Sequence, residues 1–327
     1  MEFKFVASSA LLEFAKSLPD SYCILPASCT APTLEFVQSL VESKNQVAVM
    51  ALTQSQNLSA LAIGFADPHS PDKFELDLIA INGENRSSQV LNLIFREMIG
   101  FAARHRFTSI TLKTLADNMP VISEAISQLG FKVVAFNSKG EGHPGEVCLE
   151  RHLDLYDLSG RARPVLRLAA SNEQQLPIPV LSRFNHLVSF LQHEQVINYS
   201  LQGDKPSYMR GLSWLLKSPP DVSYLYFHGD EPIAYLAGQN QGDENCGTIL
   251  ALECAGVKPN VTPPWLNPSV LHQTVNNLKK VGYRGVQFKS KGNNTNLIFV
   301  ALRCGFIIAG YEPLGTAGEV LLEKVFR

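Results

Sequence analysis

The chain has 327 residues, of which 45% are apolar and 18% charged, with a net charge of −2 at pH 7. This is the composition of a globular protein with enough apolar residues for two cores, and it excludes a disordered chain. Near-neutral charge without a long Lys/Arg run argues against a phosphate-neutralising nucleic-acid surface, and no segment reaches the ~18 uncharged apolar residues of a membrane span.

From the N-terminus, residues 3–8 read as a strand that turns into a helix at Ser8-Ser9, where a hydroxyl can cap the first free NH groups. Lys4 and Glu13 interrupt this apolar stretch, so it makes a poor signal peptide. Residues 46–52 and 60–65 read as two strands joined by a polar loop, and residues 74–81 as the next strand. Residues 89–104 then place Val90, Leu91, Ile94, Met98 and Phe101 at spacings of three and four, which predicts a helix with one apolar face. A strand at 109–112 and a helix at 120–129 follow, the helix opened by Pro120 and closed by Gly130. The segment 153–164, with Ser159-Gly-Arg-Ala-Arg-Pro, is the expected boundary between two domains, 1–155 and 156–327.

Beyond that boundary the pattern recurs. Residues 222–227 and 232–237 form a hairpin around His228-Gly-Asp-Glu, with later strands at 248–257 and 285–288 and closing strands at 305–311 and 319–324. The recurrence is visible in the letters: Leu129-Gly-Phe and Gly145-Glu-Val-Cys-Leu-Glu in the first half, Cys304-Gly-Phe and Gly318-Glu-Val-Leu-Leu-Glu in the second. An ungapped offset of 176 residues carries Ile81 onto Val257, Phe107 onto Tyr283, Lys113 onto Lys289 and Asn118 onto Asn294. A period this long means that a whole domain is duplicated. At the front, Phe5-Val-Ala-Ser matches Leu168-Ala-Ala-Ser at an offset of 163, which implies about a dozen extra residues in the second copy. Each copy therefore reads β, α, several antiparallel β, α, β, α, β, an α/β unit with helices on a mixed sheet.

This order, with an Asn, a helix and a Gly-Phe pair near its end, resembles the GNAT superfamily of acyl-CoA-dependent N-acyltransferases, in two tandem copies covering nearly the whole chain. In that family a strand ends in V-x-P-E-x-R-G-x-G-x-G/A, and the loop's backbone NH groups hold the CoA diphosphate at a helix N-terminus. Here the first copy reads Ile81-Asn-Gly-Glu84-Asn-Arg86-Ser-Ser-Gln89-Val-Leu91. Glu84 and Arg86 match, whereas Gln89 and Leu91 replace the family's glycines. The second copy has Trp265 and Asn267 at those positions and three added prolines, which remove donors. The resemblance implies cofactor contacts at Ile79, Ile81, Arg86, Ser87, Ser88, Gln89 and Val90, and at Asn118 and Asn294 near the CoA arm; helix capping is the competing role for both Asn residues and both loops.

Acyl transfer needs a base for the acceptor amine. Glu75 stands at the family's carboxylate position, Asp77 shares its face of the strand, and Glu253 falls on Asp77 under the repeat. The family's acidic Tyr is absent, its positions holding Ile126 and Ala301. His186 and His193, seven apart on an expected helix, and Cys254 on an apolar strand have plainer readings as surface and core. Six scattered cysteines without C-x-x-C indicate neither zinc nor a disulfide framework, and a cytoplasmic protein with reduced thiols is the simplest account. The expected function is transfer of an acyl group from CoA or acyl-CoA, as cosubstrate, to the amine of a small molecule, with no tightly bound cofactor and no metal. The alternatives are a catalytically inactive tandem protein that binds a ligand or partner, and a transferase using another acyl donor such as aminoacyl-tRNA.

Overall fold

A computed structural model describes residues 2–6, 21–25, 46–52, 58–82, 88–138, 140, 144–154, 176–200, 219–241, 248–313 and 318–326. The chain separates into two units, Met1–Arg167 and Leu168–Arg327. In the first, β1 (Glu2–Val6), β2 (Ser21–Leu25), β3 (Gln46–Leu52), β4 (Leu58–Asp67) and β5 (Ser70–Asn82) precede helix α1 (Ser88–Arg104). Then come β6 (Ser109–Leu115), α2 (Met119–Leu129), β7 (Lys132–Asn137) and β8 (Glu146–His152). The strands lie in the order β1-β3-β4-β5-β6-β8-β7, with β2 beside β5.

The second unit repeats this arrangement. Its elements are β9 (Ile178–Ser182), α3 (Phe184–His193), β10 (Ile197–Ser200), β11 (Val222–His228), β12 (Glu231–Gln241), β13 (Ile249–Val257), α4 (Pro268–Lys280), β14 (Gly285–Lys291), α5 (Thr295–Arg303), β15 (Ile307–Glu312) and β16 (Glu319–Val325). The order is β9-β11-β12-β13-β14-β16-β15, with β10 beside β13. Among the described strands every pairing is antiparallel except β5 with β6 and β13 with β14. The helix between each parallel pair is the connection such strands require. No helix among the described residues is long and apolar enough to cross a membrane.

The front of the repeat corrects one expectation. β9 occupies the place of β1 at the sheet's end, and Ile178 lies 176 residues beyond Glu2; β10 likewise lies 176 beyond β2, and β11 beyond β3. The two copies therefore correspond strand for strand from their first strand. No dozen residues are added at the front, and the likeness of Phe5 to Leu168 is not a structural correspondence. The copies differ in their turns instead: β11 and β12 are joined at Gly229 and Asp230, with Gly229 at φ +61°, where a longer connection joins β3 to β4.

Aromatic contacts fix the helices to the sheets. Phe74 of β5 packs on Phe101 of α1 at 5.7 Å and on Phe107 at 5.2 Å, and Phe95 meets Phe131 at 6.0 Å. In the second unit Phe288 packs on Phe306 at 5.3 Å, and Tyr226 on Trp265 at 6.1 Å. The sheet face beside α3 holds a separate cluster of Leu187, Phe190, Leu225, Tyr235, Ala237 and Cys254. Gly130 closes α2 in the left-handed conformation (φ +73°), the reason for glycine there.

One irregularity recurs in both sheets. Ile63 pairs with Leu78 but Gly64 with Leu76, so Asp77 is an extra residue in β5; Ala237 pairs with Cys254 but Gly238 with Leu252, so Glu253 is extra in β13. Such a bulge bends and twists its strand. The glycine opposite it is required by space, since a Cβ on Gly238 would stand 2.2 Å from the carbonyl oxygen of Ala251, and one on Gly64 2.4 Å from the Phe74 ring. Gly238→Ala therefore destabilises the C-terminal unit by about 2 kcal/mol or more. Gly229→Ala, where nothing lies within 4 Å, costs only the left-handed backbone, about 1 kcal/mol. Thermal or urea unfolding of the two variants side by side measures the difference.

Candidate functional site

The bulge is where each sheet divides. β5 pairs with β6 only from Lys73 to Leu76, against Ser109 to Leu112, although both strands run further. β13 pairs with β14 only from Ile249 to Leu252, against Gly285 to Phe288. Past that point the parallel strands part, leaving a notch along β5 from Ile79 onward that β2 takes up, and one along β13 from Cys254 onward that β10 takes up. A strand edge is a row of hydrogen-bonding groups that needs a partner.

In the first unit the root of the notch is polar. The Lys113 Nζ donates to Glu75 Oε1 at 2.8 Å, with the carboxylate side chain 16% exposed and the ammonium 51%. That hydrogen bond is the main reason the Lys113 ammonium titrates above its ordinary range, against a smaller opposing effect of burial. Among the described residues Glu75 Oε2 accepts no hydrogen bond. Nearby, Glu150 Oε1 accepts from Lys73 Nζ and Ser109 Oγ, each at 2.8 Å. Burial pushes the Cys148 thiol up to about 11, with the Lys113 charge opposing, so the sulfur stays protonated and is no nucleophile at neutral pH.

The second unit differs at the same registers. Ala251 replaces Glu75, and Lys289, the counterpart of Lys113, turns to Glu312 at 3.1 Å and to the buried Glu319 at 3.6 Å. The start of α4, where a diphosphate would meet free amides, is closed by the chain itself. Asn267 Oδ1 accepts from the Ser269 amide at 2.9 Å and the Val270 amide at 3.5 Å, and Pro268 offers no NH. Trp265 is 5% exposed and packs on Tyr226. The two residues standing where the resemblance calls for glycine thus serve as a helix cap and a core side chain.

The remaining predicted residues fall as follows. Arg86 and Ser87 lie outside the described residues, as does Glu84, and Ser88 is the first residue of α1. Gln89 is exposed, while Val90 and Leu91 are buried at 7% and 4%. Asp77 and Glu253 are the bulge residues, part-buried and in contact with other groups. Asn294 accepts from the Leu297 amide at 3.4 Å and so caps α5, whereas Asn118 makes no such cap and its Nδ2 donates to Thr114 Oγ1 at 2.7 Å. His186 and His193 are exposed on α3, and Cys254 is 2% exposed in the core. Among the described residues no three His, Cys, Asp or Glu side chains gather as a metal site.

Ile79 and Ile81 are flanked on both sides. Ile79 pairs with Ala62 of β4 and Leu25 of β2, and Ile81 with Ala60 of β4 and Tyr22 of β2. In the second unit Ala255 and Val257 lie likewise between β12 and β10. These short strands, which carry no strong pattern of their own, escape a reading by periodicity. The unbroken apolar runs 78–81 and 254–257 beside them are what a strand covered on both faces requires.

No family model matches the chain, and no curated protein matches it. Many solved structures of GNAT N-acetyltransferases do, each over about half of its length. The N-acetyltransferase from Staphylococcus aureus Mu50 is 13% identical and covers 46% of this chain and 96% of its own, with a TM-score of 0.38. Aminoglycoside 6'-acetyltransferase type Ii is 16% identical over 46% of this chain and 97% of its own, at 0.37. The ribosomal-protein-S18-alanine N-acetyltransferase from Escherichia coli is 14% identical over 47% and 96%, also at 0.37. The likeness is one of fold.

Asn267→Ala removes the cap of α4 and lowers the stability of the C-terminal unit by about 1 kcal/mol. Chemical denaturation reads the loss; an unchanged midpoint contradicts the capping role.

Proposed function

We propose that the N-terminal unit is an acyltransferase that moves an acyl group from acyl-CoA to the amine of a small molecule, and that the C-terminal unit is a copy without that chemistry. The observation that carries this reading is the contrast at equal registers. Glu75, with one oxygen taken by Lys113, stands at the notch of the first sheet, where the second has Ala251. The first-turn amides of α4 are spent on Asn267, whereas Leu91, its counterpart, lies inside α1, which begins earlier, at Ser88.

The reading assigns defined work to the chain's own residues. Glu75 Oε2 accepts the proton that the acceptor ammonium must lose before its nitrogen attacks the thioester carbonyl. Lys113 fixes the Glu75 rotamer through Oε1. The amides that begin α1, with Arg86, receive the diphosphate, as helix N-termini do. The thioester supplies the activated carbonyl. As the C–N bond forms and the C–S bond breaks, the proton that the attacking nitrogen sheds passes to the departing sulfur, and CoA leaves as the thiol, with no Tyr at Ile126 to serve as the acid.

A second reading is favoured by the pairing of β2 and β10 with the open edges: a protein whose two units have both filled their notches and serve as binding modules.

Thermal-shift measurements with CoA thioesters of increasing chain length separate the two, because a ligand that binds only the native form raises its melting temperature. The acyltransferase reading expects a shift with at least one thioester. It also expects Glu75→Gln to lower the rate of transfer by about 10²- to 10⁴-fold while leaving that shift in place. A chain that no CoA thioester stabilises, or a Glu75→Gln variant with full turnover, overturns it.

A further inference from the structure

Both sheets hand the open edge of their divided strand to a short strand from the front of the same unit, and the two short strands are held differently. β10 pairs with Cys254 to Val257 without any register shift. Its Asn198 Oδ1 accepts a 2.7 Å hydrogen bond from the hydroxyl of Tyr235, which is 1% exposed. The Tyr235 ring packs edge-on against Phe190 of α3 at 6.4 Å, so β10 is tied through one side chain to the core. Gly256 makes room for this tie. A Cβ there would stand 2.2 Å from the Tyr235 ring and 2.7 Å from the Val196 side chain.

The first unit has no counterpart of the Tyr235 hydroxyl or of the space at Gly256. Leu61 stands opposite Ala80 where Tyr235 stands opposite Gly256, so the hydroxyl is missing and a methyl group fills the space the ring would need. Cys23, opposite Ala80, occupies the register place of Asn198, opposite Gly256. β2 also pairs irregularly, with a register shift between Cys23 and Leu25. Short, irregularly paired segments at a sheet edge open at far lower cost than core strands.

We propose that β2 is an exchangeable strand, which covers the edge of β5 from Ile79 to Asn82 in the free protein and withdraws when ligand takes that edge, while β10 is its permanently fixed counterpart. Its ligand half rests on the acyl-CoA reading above; the difference in hold between the two strands does not. β2 then competes with the cosubstrate for one row of backbone groups, and the anchor of β10 keeps the second notch shut.

Two measurements on the full chain test this. In hydrogen exchange of the free protein, the amides of residues 21–25 exchange at least about tenfold faster than those of 197–200, and Tyr235→Phe raises the latter about fivefold to tenfold without unfolding the unit. Equal protection of the two strands overturns the proposal. In the second measurement, Ala80→Cys sets a thiol opposite Cys23 in the register, and the oxidised bond is verified by peptide mapping. Calorimetry with CoA then expects binding at least about tenfold weaker in the oxidised variant, restored by reductant, with wild type indifferent to reductant. An oxidised variant that binds as wild type does overturns the competition. Wild type that binds no CoA, together with the exchange difference, supports the difference in hold and sinks the acyl-CoA reading instead.

Discussion

One extra residue in one strand organises each half of this protein. Asp77 and Glu253 lengthen β5 and β13 by a residue relative to their neighbours, and the partner strands meet the bulge with glycine because a side chain has no space there. The bent strand can no longer keep its parallel neighbour, so the sheet divides and leaves a row of backbone groups to be satisfied by something else. Everything of functional interest lies on or beside that row: the Glu75–Lys113 pair at its root, the helix N-terminus past its end, and the short strand that covers it.

Duplication supplies an internal control. The two sheets share strand order and bulge, so the differences at these positions are differences of side chain on one framework. Where the first has a carboxylate, the second has Ala251; where the second caps its helix with Asn267, the first runs its helix on from Ser88 through Leu91; where Tyr235 of β12 reaches across to β10, β4 has Leu61. These departures point the same way. In the C-terminal unit Asn267 caps its helix and Ala251 stands where the first unit has a carboxylate; the proposed function rests on that contrast.

Much of this was legible in the letters. The 176-residue repeat, the amphipathic spacing of α1, the Pro120 and Gly130 bounds of α2 and the hairpin at Gly229 all rest on local physics that a sequence displays directly. The bulge was hidden, because the residue that makes it is a carboxylate like its neighbour and only the partner strand reveals the slip. β2 and β10 were hidden as well: four or five residues hold no period, and pairing with a distant edge is a tertiary fact. The misleading match of Phe5 to Leu168 shows how short apolar-small runs recur by chance, while the true counterparts of β1 and β9 share register without sharing letters.

The central claim is that one edge, Ile79 to Asn82, is open to ligand and its duplicate is not. A crystal structure of the full chain grown with CoA tests it most directly. The account predicts the ligand along β5 with its diphosphate at the start of α1, β2 displaced, and β10 still paired to β13. CoA bound at the C-terminal unit, or bound anywhere with β2 still in place on β5, contradicts it.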